Sequence, residues 1–247
     1  MQKSPVSIEH RCVSPSISAV IFDYGQVLAR SATREDFGRM AQMFNVSFEV
    51  FYTLWEASRD TYDRGDLTAE EYWLKLAAQA NTPIDRSKIE ILRNVEVEIW
   101  AHVDPDMLGW VSQLRAAGVK TGLLSNMPGD LVTHLRANCE WLENFDFKTF
   151  SSEVGLIKPD PAIYEYILHG LGVAASEALF VDDREINIQA ARALGIHAIQ
   201  FRSVAQLRHD LEVLDFPILP VGVKTSSAVS GAASPAERPE QEIKFQL

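Results

Sequence analysis

The sequence predicts an α/β protein: a parallel, doubly wound sheet interrupted by an all-helical insert. Three observations carry that expectation. Short all-apolar runs alternate with helical patterns, two of those runs end in carboxylates, and residues 31–102 hold helical patterns without a convincing strand. An apolar run bounded by a turn reads as a parallel strand buried on both faces. Strand–helix alternation then closes such strands into a sheet with helices on both sides.

The first strand is expected over Ser18–Asp23, where Ala19-Val20-Ile21-Phe22 runs into Asp23 and the turn Tyr24-Gly25-Gln26. Four amphipathic helices follow between Ser31 and His102. Phe37, Met40, Ala41 and Phe44 share one face; Phe51, Leu54, Trp55 and Ser58 share the next. Thr68 and Glu71 form a capping box ahead of Tyr72, Trp73, Leu76 and Ala80. Ser87 and Glu90 form a second one, ahead of Ile91, Val95 and Ile99. Such a bundle leaves the chain at the loop after Asp23, so it overhangs any site at that edge, as a lid or substrate-selecting cap does.

Asp104-Pro105 supplies an N-cap and a proline at the first helical position. Leu108, Val111, Leu114 and Arg115 keep helical spacing up to a stop at Gly118. Strands are expected at Lys120–Ser125, Phe147–Phe150, Ala178–Asp182 and His197–Phe201. Asp160-Pro161 opens a helix with Ile163, Tyr164, Ile167 and Leu168 on one face, and Ile186, Ala190, Ala193 and Leu194 trace another that stops at Gly195. The division is then a core of residues 17–30 and 103–218 and a cap of residues 31–102. Residues 1–16 read as a frayed start, and 219–247, rich in Ser, Ala, Pro and Glu, as a disordered tail or a partner-binding segment.

At 247 residues the chain has room for such a core with its insert. A net charge of −11 argues against nonspecific nucleic-acid binding and docking on anionic lipid, so neither nucleic acid nor membrane is an expected partner. An anionic substrate must then be drawn in by a local field. Cys12 and Cys139 make no disulfide framework, no apolar run approaches the roughly 20 residues of a membrane span, and the start lacks a signal-peptide core. A cytoplasmic location follows, with monomer and homodimer both open.

Asp23 and the Asp182-Asp183 pair end two strands at the C-terminal sheet edge, where open α/β sheets place their sites. Neighbouring carboxylates repel unless a cation sits beside them, and an all-oxygen site suits Mg²⁺. Ser125 and Asn126 end another strand, where a hydroxyl and backbone N–H groups can hold a phosphoryl oxygen. Lys158, fixed by Pro159 and the helix cap Asp160, can pair with Asp23 and offset phosphoryl charge. Gly25 permits a tight turn and offers a backbone carbonyl to the metal, while Asn187, one helical turn on, can orient the acid pair. Phosphoryl transfer to a carboxylate needs these parts, with Asp23 as nucleophile. Taken singly, each has a plainer role: Asp23 as a turn cap, Lys158 as a surface lysine.

Phe22-Asp23-Tyr24-Gly25-Gln26-Val27-Leu28, Leu124-Ser125-Asn126, Ile157-Lys158-Pro159-Asp160-Pro161 and Phe180-Val181-Asp182-Asp183-Arg184-Glu185-Ile186-Asn187 resemble, in order, the four motifs of the haloacid dehalogenase superfamily. The resemblance covers about residues 17 to 215 and is strongest to glucose-1-phosphate phosphatases and the N-terminal phosphatase domain of soluble epoxide hydrolase. It implies a Rossmann-like core, an all-helical cap and Mg²⁺-dependent phosphatase chemistry through an aspartyl-phosphate. By position Asp23 is the nucleophile, Ser125 binds phosphate, Lys158 balances charge, and Asp183 is the main acidic metal ligand with Asp182 beside it.

One departure matters. Most phosphatases of the superfamily place a general acid two residues after the nucleophile, where this chain has Gly25 followed by Gln26. General acid–base help is worth roughly 10²–10⁴-fold, so a slow enzyme is expected unless another group replaces it. The leading expectation is a phosphatase for a small phosphorylated metabolite, a sugar phosphate among the classes considered. The alternatives are a metal-free 2-haloacid dehalogenase, whose usual Tyr and Gly-Thr this chain lacks at that site, and a non-catalytic metabolite-binding or scaffold member.

Overall fold

The structure, a computed structural model, describes residues 17–30 and 32–221. The expectations for the start, residues 1–16 with Cys12, and for the tail beyond residue 221 fall outside the described residues. Five parallel strands form the sheet: β1 (Ala19–Phe22), β2 (Lys120–Ser125), β3 (Phe147–Phe150), β4 (Ala178–Asp182) and β5 (His197–Gln200). Their order is β3-β2-β1-β4-β5, which makes this an α/β Rossmann-like core. The winding reverses between β1 and β4, and such a switch point opens a crevice at the strands' carboxyl ends. All residues of β1 and β4 are buried, which is why neither run alternates in polarity. Asp23 stands one residue beyond β1, and its N–H still donates to Val181 O at 2.9 Å.

The insert after β1 holds five helices: α1 (Arg34–Met43), α2 (Phe48–Ala57), α3 (Arg59–Asp63), α4 (Ala69–Gln79) and α5 (Arg86–Trp100). The short α3 was not among the four expected; at five residues it is too brief to show a periodic stripe. Thr68 and Glu71 do form the capping box of α4. Ser87 does not cap α5. Asp85, in extended conformation, accepts from Lys88 N at 2.9 Å, so the helix starts earlier and Ser87 lies inside it. A charged carboxylate satisfies the free N–H groups and the dipole of a helix start together. The inward face of α5 is accordingly Ile89, Leu92, Val95 and Ile99, and Ile91 is exposed.

After the insert come α6 (Pro105–Ala116), α7 (Gly129–Asn138), α8 (Ser151–Val154), α9 (Pro161–Leu171), α10 (Glu185–Ala193) and α11 (Val204–Val213). Asp104 caps α6 and Asp160 caps α9. Two stripes run in a different phase from the sequence reading. Helix α6 buries Met107, Trp110, Val111 and Leu114, leaving Leu108 half-buried and Arg115 exposed. Helix α10 buries Asn187, Ile188 and Ala191, leaving Ile186 and Ala193 exposed, because its first turn stands at the rim of a cavity.

One apolar cluster joins α6, α7 and α11 to one sheet face, and another joins α9 and α10 to the other. A third cluster is drawn from residues between Ala32 and Ile99. Trp100 packs against both this third cluster and the first. The chain leaves and returns side by side: Ala29 bridges Val103, Arg30 N donates to His102 O at 2.8 Å, and Asp104 N donates to Leu28 O at 2.7 Å. The helices of the insert are fastened to the sheet layer by Arg93, paired with Asp130 at 2.7 Å, and by Ser151 Oγ, which donates to Asp63 O at 2.5 Å. Beyond α11, Trp110 Nε1 donates to Ile218 O and Arg208 to Pro220 O. No helix among the described residues is long and apolar enough to cross a membrane.

Gly65 and Gly109 provide a matched test of this packing. Gly65 has φ of 87°, and an added Cβ would stand 2.8 Å from Ser152 O, whereas one at Gly109 in α6 meets nothing within 4 Å. Gly65→Ala is expected to destabilise by at least about 1–2 kcal/mol, the cost of a left-handed backbone with a Cβ. Gly109→Ala is expected to stabilise by up to about 1 kcal/mol through helix propensity. Urea unfolding of both variants checks this; shifts of the same sign would contradict the packing described.

Candidate active site

At the centre of the crevice the Lys158 ammonium lies 2.7 Å from Asp23 Oδ1 and 2.6 Å from Asp182 Oδ2. All three groups are buried. The loop before α9 delivers Lys158, and Asn126, just past β2, holds that loop. Asn126 Oδ1 accepts from Lys158 N at 2.8 Å, and its amide donates to Lys158 O at 3.0 Å. The Asn126 side chain thus positions the lysine loop, while the residue itself lines the cavity, where backbone N–H groups were expected to hold a phosphoryl oxygen.

Asp182 is fully occupied. Oδ1 accepts from Arg184 N at 2.8 Å and from Asn187 Nδ2 at 3.0 Å; Oδ2 accepts from Lys158 and, at 3.1 Å, from Asn187 again. Asn187 thus orients this acid, and Asp182 in turn orients the lysine. Asp183 is different. It lines the cavity beside Asp23 and accepts from Gln26 Nε2 at 2.8 Å. One oxygen from each of Asp23, Asp182 and Asp183 lies within 4.8 Å of the others. Ser125, buried at the end of β2, lines the same cavity, and its one contact, 3.5 Å to Asn126 O, is long for a hydrogen bond.

Gly25 is not the strained residue of the turn. The left-handed position is Gln26, with φ of 58°, whose side chain reaches Asp183. Gly25 matters for space: a Cβ there would meet Trp100 Cζ3 at 3.7 Å, an ordinary van der Waals contact. The Tyr24 hydroxyl, hydrogen-bonded to Trp100 O, holds this end of α5 over the turn.

The charges crowd one another. Burial pushes Asp23 up to about 6, against the pull of the Lys158 ammonium. Burial pushes Asp183 further, to about 8, with repulsion from Asp23 and Asp182 adding to it. For Lys158, burial opposes the charge, but Asp182 and Asp23 outweigh it and hold the ammonium above its usual range. Carboxylates that share a pocket and resist ionisation are relieved by a divalent cation, and an oxygen-only donor set fits Mg²⁺.

The cavity holds about 530 Å³ and is closed on its far side by the inserted helices. Phe37, Tyr52, Trp55, Glu56, Arg59 and Asp63 line that wall. Arg59 is buried between Asp63, at 2.8 Å, and Glu96, and stacks over Trp55 at 4.6 Å. The sequence reading oriented none of these side chains. The signal available was the i,i+4 pair Arg59–Asp63 directly after an aromatic face.

A sequence model of the haloacid dehalogenase-like hydrolases matches residues 17–195, and the chain belongs to that family. Acyl-CoA dehydrogenase family member 10 of Mus musculus is 29% identical over 218 residues, 82% of this chain and 20% of that protein. Bifunctional epoxide hydrolase 2 of Rattus norvegicus is 37% identical over 133 residues, 50% of this chain and 24% of that protein. The chain thus spans a quarter or less of the length of these two relatives. Sesquiterpene phosphatase astK of Aspergillus oryzae is 26% identical over 73% of this chain and 88% of its own. Among solved structures, a family enzyme of Bacteroides thetaiotaomicron in complex with magnesium and inorganic phosphate matches with a TM-score of 0.60 at 21% identity, over 75% of this chain and 94% of that one.

Lys158 is what lowers Asp23 against burial. In metal-free protein, Lys158→Met is therefore expected to move the Asp23 titration above about 6. A ¹³C NMR titration of the carboxyl checks this, and an unchanged or lower midpoint would contradict the pairing.

Proposed function

We propose that this chain is a Mg²⁺-dependent phosphomonoesterase that hydrolyses a small phosphorylated metabolite through a phosphoryl group carried on Asp23. The observation that carries this reading is one ammonium clamped between Asp23 and Asp182 beside a further carboxylate, Asp183. Lys158 occupies Oδ1 of Asp23 and leaves the second oxygen to attack phosphorus. The ester P–O bond breaks and the alkoxide leaves with the electron pair, taking a proton from solvent to become the alcohol. Water then attacks phosphorus, returns a proton to solvent, and frees the Asp23 carboxylate and inorganic phosphate. Ser125, with the backbone beside Asn126, holds an equatorial phosphoryl oxygen. Asp23, Asp183 and the Gly25 carbonyl would hold Mg²⁺, with Asp182 behind them; bound there, the ion neutralises phosphoryl charge as a Lewis acid. The phosphatase relative that the chain covers over 88% of its length supports the choice of bond.

A 2-haloacid dehalogenase would turn Asp23 on carbon and need no metal, and the crowded carboxylates favour the metal-dependent reading. Treatment with EDTA should abolish turnover of p-nitrophenyl phosphate, and Mg²⁺ should restore it. Asp23→Asn should lose at least 10³-fold in kcat while keeping the fold, because an amide fills the same space and cannot attack. Activity within a few-fold of wild type in that variant would end this mechanism.

No proton donor stands at Gly25, so the departing oxygen bears more charge in the transition state. Rates should fall steeply as leaving-group pKa rises along an aryl phosphate series. Gly25→Asp should flatten the slope, since the Cβ has room beside Trp100. A wild-type slope near zero with rate-limiting chemistry would mean that another group already donates the proton.

A further inference from the structure

Resting on the phosphatase reading, we propose that the cap-side half of the cavity selects phosphate monoesters of bulky, uncharged, aromatic or alicyclic alcohols. A cavity of about 530 Å³ is in the range that encloses a drug-sized ligand, well beyond what a phosphoryl group and an ion require. The surplus is walled by aromatic rings. Phe37 meets Trp55 edge-on at 5.0 Å and Tyr52 at 5.4 Å, and Tyr52 stacks on Trp55 at 5.9 Å. Buried Met127 and Leu131 line the opposite side. Rings locked against one another give a rigid apolar surface that favours a flat or bulky hydrocarbon group.

Electrostatics excludes a second anion. The guanidinium of Arg59 is consumed by Asp63 and Glu96, and Glu56 and Asp60 add further carboxylates to the same wall. At the rim Arg184 adds one cation and Glu185 one further carboxylate. A carboxylate or second phosphate on the alcohol would face this wall at like charge.

The test is kcat/KM of this chain with Mg²⁺ on three primary alkyl phosphates with similar leaving groups: butyl, 4-phenylbutyl and 4-carboxybutyl phosphate. Burial of the ring is expected to raise 4-phenylbutyl over butyl by about tenfold or more. The carboxylate should fall below butyl. Trp55→Ala should collapse the ratio of 4-phenylbutyl to butyl, whereas a general folding defect would lower both together; an unchanged ratio in that variant contradicts the inference. Equal efficiency on all three esters in the wild type, or the carboxylate as the best substrate, overturns the inference and leaves the phosphatase reading standing. Hydrolysis of none of the three, nor of p-nitrophenyl phosphate, overturns that reading and the inference with it.

Discussion

The buried Lys158 ammonium between Asp23 and Asp182 is the interaction on which the rest of the structure depends. A charge taken out of water is tolerated only when its partners are in place, and breaking one such pair costs several kcal/mol. Four chain segments must converge to meet that demand. Strand β1 carries Asp23 to the edge, and β4, hydrogen-bonded beside it, carries Asp182. The end of β2 supplies Asn126, which grips the backbone of the lysine on both its N–H and its C=O. Helix α10 supplies Asn187, which fixes Asp182. The strand order is thus the arrangement that lets one ammonium serve two carboxylates, and Asp183 is left facing the cavity as the acid without a cationic partner of its own.

A second buried ion cluster does the corresponding work in the inserted helices. Arg59 ties α3 to α5 through Glu96 and stacks on Trp55 of α2. It supports the aromatic wall, and its charge is matched by Asp63 and Glu96. The hydrophobic layers of the core and the insert meet near the turn after β1. Trp100 ends α5, packs on both hydrophobic layers and lies within contact of the place a Gly25 side chain would take. Where many relatives by resemblance carry a general acid, this chain has an aromatic ring closing over a glycine.

Strands and motifs were legible because each depends on local chemistry. A fully apolar run of four or five residues ending in a carboxylate has few other uses, and Asp23, Ser125, Lys158, Asp182 and Asp183 do assemble at one edge. What was not legible depends on tertiary partners. Asp85 and Ser87 are both good caps, and only the packing of Ile89, Leu92 and Val95 decides which one starts α5. Ile186 belongs to an apolar pattern but stands in the first turn of α10 at the cavity rim, so the inward stripe falls on Ile188 and Ala191 instead. Asn126 was read for backbone N–H groups at the strand end; that its side chain grips the lysine loop depends on a segment 32 residues further along the chain. The cap face could not be assigned, because all its helices present aromatic residues and nothing in their period says which ones look toward Asp23.

The claim that Asp23 carries the phosphoryl group is tested most directly by trapping it. Borohydride added during turnover of p-nitrophenyl phosphate with Mg²⁺ reduces an aspartyl-phosphate to homoserine, which peptide mass spectrometry locates. Homoserine at position 23, absent without substrate, is the result predicted by this account. Continued turnover with Asp23 unmodified after the same quench would contradict it.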